Sequence, residues 1–131
     1  PAPSAPAPAP SAPSGNTALG QQIVNTALQY VGYPYVYGGN SLTGGIDCSG
    51  FTQQIYRMFG ISLPRSSASQ RSVGYAVSYA EAQPGDLICY SGHVAIYMGG
   101  GAIVHASNEI NGICVFNNAN YRPIVSVRRL V

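Results

Sequence analysis

Gly92-His93-Val94-Ala95-Ile96-Tyr97-Met98-Gly99-Gly100-Gly101-Ala102-Ile103-Val104-His105-Ala106 is the stretch on which the architecture turns. Two short runs of apolar, β-branched and aromatic residues flank three glycines, the pattern of an antiparallel hairpin. With a three-residue loop Met98 faces Ala102, and counting outward puts His93 and His105 on one face and nearly opposite. A loop of even length would send the two rings to opposite faces. They are the only histidines in the chain.

Around this hairpin, Asp86 to Tyr90, Gly112 to Phe116 and Ile124 to Arg129 read as further strands between Gly and Asn clusters, which makes about five. The preceding half reads as helix. Leu19, Ile23, Val24, Ala27, Leu28 and Val31 recur at three- and four-residue steps over Thr17 to Val31, with Asn16 or Thr17 as the cap and Gly32 as the stop. A second helix is expected to begin at Asp47, bury Phe51, Ile55, Met58 and Phe59, and end at Gly60. Pro64 to Val73 allows a short polar helix, whereas Gly32 to Ile46 is too rich in Gly and Pro for one. Helices followed by strands predict an α+β fold, N-terminal helices packed on a central antiparallel sheet.

The first sixteen residues differ in kind: six of the ten prolines, five alanines, three serines and no charge. Residues 1–16 therefore read as a Pro/Ala/Ser linker, a spacer that implies an upstream module. That leaves 17–131 as one folding unit, large enough to bury a core without disulfide or metal. Six arginines, no lysine and four acids give a formal net charge of +2. They are spread from Arg57 to Arg129 and make no basic stripe, so nucleic acid is not an expected partner. No apolar run approaches the length of a membrane span, and no signal-peptide pattern is present, so the chain reads as a mature or excised soluble domain.

Three cysteines, Cys48, Cys89 and Cys114, leave at least one thiol free. Cys48 follows the expected cap Asp47, where unpaired N–H groups and the helix dipole favour an anion and are expected to lower the thiol pKa. Cys89 and Cys114 lie in apolar strand patterns and read as buried free thiols, although a bridge between neighbouring strands is the alternative. A helix-start thiol with two imidazoles on one sheet face matches nucleophile, base and orienter. Parity alone does not order the two histidines. The same three side chains would also suit zinc, but there is no Cys-x-x-Cys and no His-Glu-x-x-His, so no metal is expected.

Six motifs stand in order between Tyr35 and Ala106: Tyr35-Val36-Tyr37-Gly38-Gly39, Asp47-Cys48-Ser49-Gly50-Phe51, Leu63-Pro64-Arg65, Pro84-Gly85-Asp86-Leu87, Gly92-His93-Val94-Ala95-Ile96-Tyr97 and Ile103-Val104-His105-Ala106. Together they closely resemble the NlpC-type cell-wall cysteine peptidases, a papain-like family of peptidoglycan hydrolases. The resemblance implies a circularly permuted papain-like fold, with Cys48 as nucleophile, His93 as general base and His105 as the residue that orients it. Tyr35 resembles the family's tyrosine beside the nucleophile, Asp47 and Ser49 resemble positions lining the substrate groove, and Arg65 is a candidate partner for a stem carboxylate. Asp47 also reads as a plain helix cap, and Arg65 as a surface ion pair.

The implied reaction is hydrolysis of the stem-peptide bond between γ-D-glutamate and the diamino acid, through an acyl-thiol intermediate and without a cofactor. The implied setting is a secreted, monomeric enzyme at the bacterial cell wall, acting on peptidoglycan stem peptides beside an upstream wall-targeting module. The alternatives are a catalytically silent wall-binding module and an amidase or acyltransferase using the same thiol.

Overall fold

The structure, a computed structural model, describes residues 16–131. The segment 1–15, most of the expected linker, lies outside the described residues. Asn16 belongs to the folded domain: its side chain accepts a hydrogen bond from the Leu19 N–H at 3.0 Å and caps helix α1, Thr17–Leu28. That helix buries Ile23, Val24 and Ala27 and stops three residues before the expected Val31, which is 44% exposed. Helix α2, Cys48–Arg57, is capped by Asp47, whose carboxylate accepts from the Gly50 N–H at 2.8 Å. It buries Phe51, Ile55 and Tyr56, but Met58 lies beyond the last helical turn and is 50% exposed, against expectation. The short polar helix is α3, Ser67–Gln70.

Two small strands, β1 Asn40–Ser41 and β2 Gly45–Ile46, close a ribbon just before α2. The main sheet holds β3 Tyr75–Val77, β4 Leu87–Tyr90, β5 His93–Gly99, β6 Ala102–Asn108, β7 Gly112–Phe116 and β8 Ile124–Arg129. Its order is β3-β8-β4-β5-β6-β7, with every neighbouring pair antiparallel. Six strands stand where about five were expected. The extra one, β3, is a three-residue edge strand with Tyr75 59% exposed, too short and too wet to carry a pattern.

Alternation along the central strands explains their continuous apolar runs, because the sheet is covered on both faces. Leu87, Cys89, Val94, Ile96, Val104 and Ala106 pack with residues of α1 and α2, while Ile88, Tyr90, Ala95, Tyr97, Ile103 and Val127 form a second cluster. The helix layer is set close at one point. A Cβ on Gly20 of α1 would stand 2.1 Å from the Pro84 carbonyl oxygen, so only glycine lets α1 meet the entry to β4. Nearby, the Tyr56 hydroxyl donates to the Gly85 carbonyl, and Arg129 grips Asp86 with Nε at 3.0 Å and Nη2 at 2.8 Å.

Candidate active site

The hairpin register is the expected one at its centre, Ile96 pairing with Val104 and Tyr97 with Ile103, but Gly99 rather than Met98 faces Ala102 across a two-residue turn, and the irregularity between Tyr97 and Gly99 makes up the odd count. His93 and His105 therefore share a face, and Nε2 of His93 stands 2.7 Å from Nδ1 of His105. Tyr90 stacks on His93 with ring centres 5.7 Å apart, and Phe116 meets His105 edge-on at 4.4 Å. Burial lowers the pKa of His93 to about 4, helped by the positive charge of Arg122. Burial likewise lowers His105 to about 3, helped by His93. His105 Nε2 is buried and has no hydrogen-bond partner among the described residues.

These shifts make an acid-sensitive fold. The unfolded chain takes up protons below about pH 6.5 that the native histidines refuse, so their contribution is full above pH 6.5 and is lost as pH falls through about 4. Going from pH 7 to pH 5 is expected to remove about 2 kcal/mol for each histidine that stays neutral. Thermal melts followed by circular dichroism should show Tm dropping by at least about 5 °C over that interval. An unchanged Tm would mean that the imidazoles are not held neutral.

Cys48 opens α2 and is 8% exposed. Its sulfur lies against the backbone of Val94, the residue after His93, whose N–H favours the thiolate. The expected lowering of the thiol pKa is nonetheless reversed. Burial pushes it up and outweighs the Val94, Ser49 and Cys48 N–H groups, and the Asp47 carboxylate adds to the rise. Cys48 thus stands against the residue that follows His93, and His93 against His105, in an environment that disfavours charge on thiol and imidazole alike.

Beside them opens a cleft of about 530 Å³, within the range of small-ligand sites, lined by Tyr35, Asp47, Cys48, Ser49, Arg65 and Gly92, with Tyr37, Gly38, Ser66 and Ser67 at its rim. Tyr35 is half-buried. Its phenol pKa is raised first by burial and then by Cys48 and Asp47, which keeps the hydroxyl a proton donor. Asp47, Ser49 and Arg65 form one clamp: Nη1 of Arg65 reaches Asp47 Oδ1 at 2.9 Å and donates to Ser49 Oγ at 2.8 Å. Arg65 also donates to Asn40 Oδ1 at 2.6 Å and to the Gly39 carbonyl at 3.0 Å, while Asp47 Oδ2 accepts from the Gly38 N–H at 3.0 Å. Asp47 is therefore cap, loop anchor and ion-pair partner at once.

Sequence reasoning did not single out Tyr90, Tyr121 and Arg122 beside the histidines, because Tyr90 reads as one more apolar strand residue and Tyr121 and Arg122 as isolated residues between strands. All three cysteines are free, and β4 and β7 are separated in the sheet by β5 and β6, so Cys89 and Cys114 are not neighbours. Among the described residues no group of three or more His, Cys, Asp and Glu side chains is arranged to hold a metal ion, and no helix is long and apolar enough to cross a membrane.

Residues 32–129 match the NlpC/P60 family. A probable endopeptidase of Corynebacterium glutamicum is 38% identical over 122 residues, covering 91% of this chain and 56% of that protein. A gamma-D-glutamyl-L-lysine dipeptidyl-peptidase of Bacillus cereus is 39% identical over 98 residues, covering 69% of this chain and 29% of that one. The chain thus spans only about half or less of these relatives. Among solved structures, the NlpC/p60 domain of the peptidoglycan hydrolase SagA superposes with a TM-score of 0.75 at 33% identity, covering 85% of this chain and 98% of that one. RipD of Mycobacterium tuberculosis, described as a non-catalytic NlpC/p60 domain protein adapted to peptidoglycan binding, superposes at 0.74 with 26% identity, covering 86% and 98%.

Proposed function

The chain belongs to the NlpC/P60 family, with its papain-like α+β fold, and from that premise we propose that it hydrolyses peptidoglycan stem peptides at the bond between γ-D-glutamate and the diamino acid. The observation that carries this reading is the 2.7 Å contact between His93 Nε2 and His105 Nδ1, one residue along β5 from the backbone against which Cys48 rests.

In the proposed reaction Cys48 Sγ attacks the carbonyl carbon while His93 Nδ1 takes the thiol proton. The C–N bond then breaks, His93 returns that proton to the leaving amine, and water activated by His93 cleaves the thioester. His93 Nδ1 is free to accept only if the ring proton sits on Nε2 and is donated to His105 Nδ1. The His105 proton is then on its own Nε2, the buried atom without a partner. Because burial disfavours both ions, the pair rests neutral and the proton moves during attack. Tyr35 donates to the developing oxyanion, and the Asp47–Ser49–Arg65 clamp shapes the wall where the acyl side of the peptide lies.

In this reading the expected linker, less its last residue Asn16, acts as a spacer to an upstream wall-targeting module, the catalytic unit is 16–131, and the chain works as a monomer outside the cell. Digestion of a defined set of muropeptides, with the products weighed by mass spectrometry, tests it directly. Fragments ending in γ-D-glutamate, with the diamino acid as the new N-terminus, are expected. Wall capture without any fragment would favour a silent binding module, and a product carrying an added amine would make the chain an acyltransferase.

A further inference from the structure

Six arginines serve this chain, and one of them is stacked against the aromatic neighbour of His93. Arg65 and Arg129 pair with Asp47 and Asp86, and Arg128 donates to the carbonyls of Ser72, Val73 and Gly74. Arg122 pairs with no carboxylate among the described residues, yet it is held in place. Its Nη2 donates to the Ser91 carbonyl at 2.6 Å, and its guanidinium carbon lies 5.6 Å from the centre of the Tyr90 ring. Tyr90 in turn stacks on His93, and Gly92, the neighbour of Ser91, lines the cleft. Tyr121 meets Tyr90 edge-on at 5.4 Å and leaves 40% of its surface exposed.

A cation without a carboxylate partner among the described residues and an exposed ring therefore stand against Tyr90 and Ser91, next to Gly92 of the cleft, while the neutralised Asp47–Arg65 pair lines the cleft beside Cys48. A general acid must lie beside the amine that it protonates, so the residue carrying the leaving amine lies on the His93 side. We propose that Arg122, walled by Tyr121, is the subsite for a carboxylate on the leaving diamino acid. This specificity rests on the hydrolase reading above.

Guanidinium is suited to the task. Its planar fork matches a carboxylate, the Tyr90 ring beside it limits its orientation, and donors engaged by Ser91 and the Tyr121 side chain leave others of its five N–H groups to donate. Its reach toward the reacting groups is consistent with the electrostatics, since its charge disfavours protonation of His93. A substrate whose leaving residue has no carboxylate would leave this cation unanswered.

The test uses Cys48→Ala protein, which cannot turn over, titrated by calorimetry with γ-D-glutamyl-L-lysine and with the same dipeptide carrying a carboxamide at the lysine end. The free carboxylate is expected to bind about 10-fold more tightly, and Arg122→Gln in the same background to abolish the difference while leaving the carboxamide affinity unchanged. Arg122→Lys, which keeps the charge and loses the fork, is expected to retain part of the preference, and it serves where Arg122→Gln does not fold. Equal binding of the two peptides to the Cys48→Ala protein, or equal weakening of both by Arg122→Gln, would overturn the subsite. If the preference is found but the parent chain cleaves neither peptide nor any muropeptide, the hydrolase reading falls and the subsite stands.

Discussion

Cys48→Ser is expected to fold like the parent chain and to release stem-peptide fragments from cell wall at least about 10³-fold more slowly. The substitution is close to isosteric. The Val94 N–H that faces the sulfur can donate to a hydroxyl, so Tm should move little. The chemistry has no such latitude. In the proposed reaction the base is His93, lowered to about 4 and so weak in the resting protein, and an alcohol is a far weaker acid than a thiol. Rates measured by mass spectrometry of released fragments, with circular dichroism to verify the fold, separate the two effects. Undiminished cleavage by the serine variant would end the thiol mechanism. Equal inactivity of parent and variant, with wall binding retained, would place the chain beside the non-catalytic RipD domain to which its fold is similar.

Arg129→Met is expected to cost about 3–5 kcal/mol of stability, a large share of what a domain of this size possesses. Asp86 is 1% exposed and Arg129 is 5% exposed, and the guanidinium contacts both carboxylate oxygens and the Glu81 carbonyl. Removing it leaves a carboxylate at the start of β4 without its counter-charge in the dry interior. Replacing both partners, Arg129→Met with Asp86→Asn, should recover part of the loss because the uncompensated charge is gone. Urea unfolding curves for the three proteins check this. A single variant within about 1 kcal/mol of the parent would show that water or a rearranged partner solvates Asp86.

The same pair shows why the sequence could be read only so far. Pro84-Gly85-Asp86-Leu87 was recognisable as a motif, but Asp86 and Arg129 are 43 residues apart in the chain, and nothing local announces their contact. The histidine pair is the opposite case. A glycine turn, the irregularity beside it at Met98 and a side-chain period of two carry His93 to the face of His105 by local geometry alone. β3 went unread because its three residues are ordered by β8, some fifty positions away, rather than by their own pattern. Asp47 was legible as a cap, but its pairing with Arg65 needs the loop after α2 to fold back over the cap, bringing Ser49 and Asn40 within reach of the same guanidinium. Arg122 was invisible: a single arginine before a proline has no signature until Tyr90 and Ser91 are brought beneath it.

The amino-acid order by itself determined the helix starts, the pairing at the centre of the hairpin, and the placing of Cys48 at a helix start and of His93 and His105 on one sheet face, because caps, glycine turns and alternating side chains act over a few residues. The tertiary structure alone decided how those groups are charged. Proximity to a helix start argues for a lowered thiol pKa, yet burial raises it, and burial also drives both imidazoles down. Desolvation depends on every segment that closes over a site, and no short stretch of sequence contains them all.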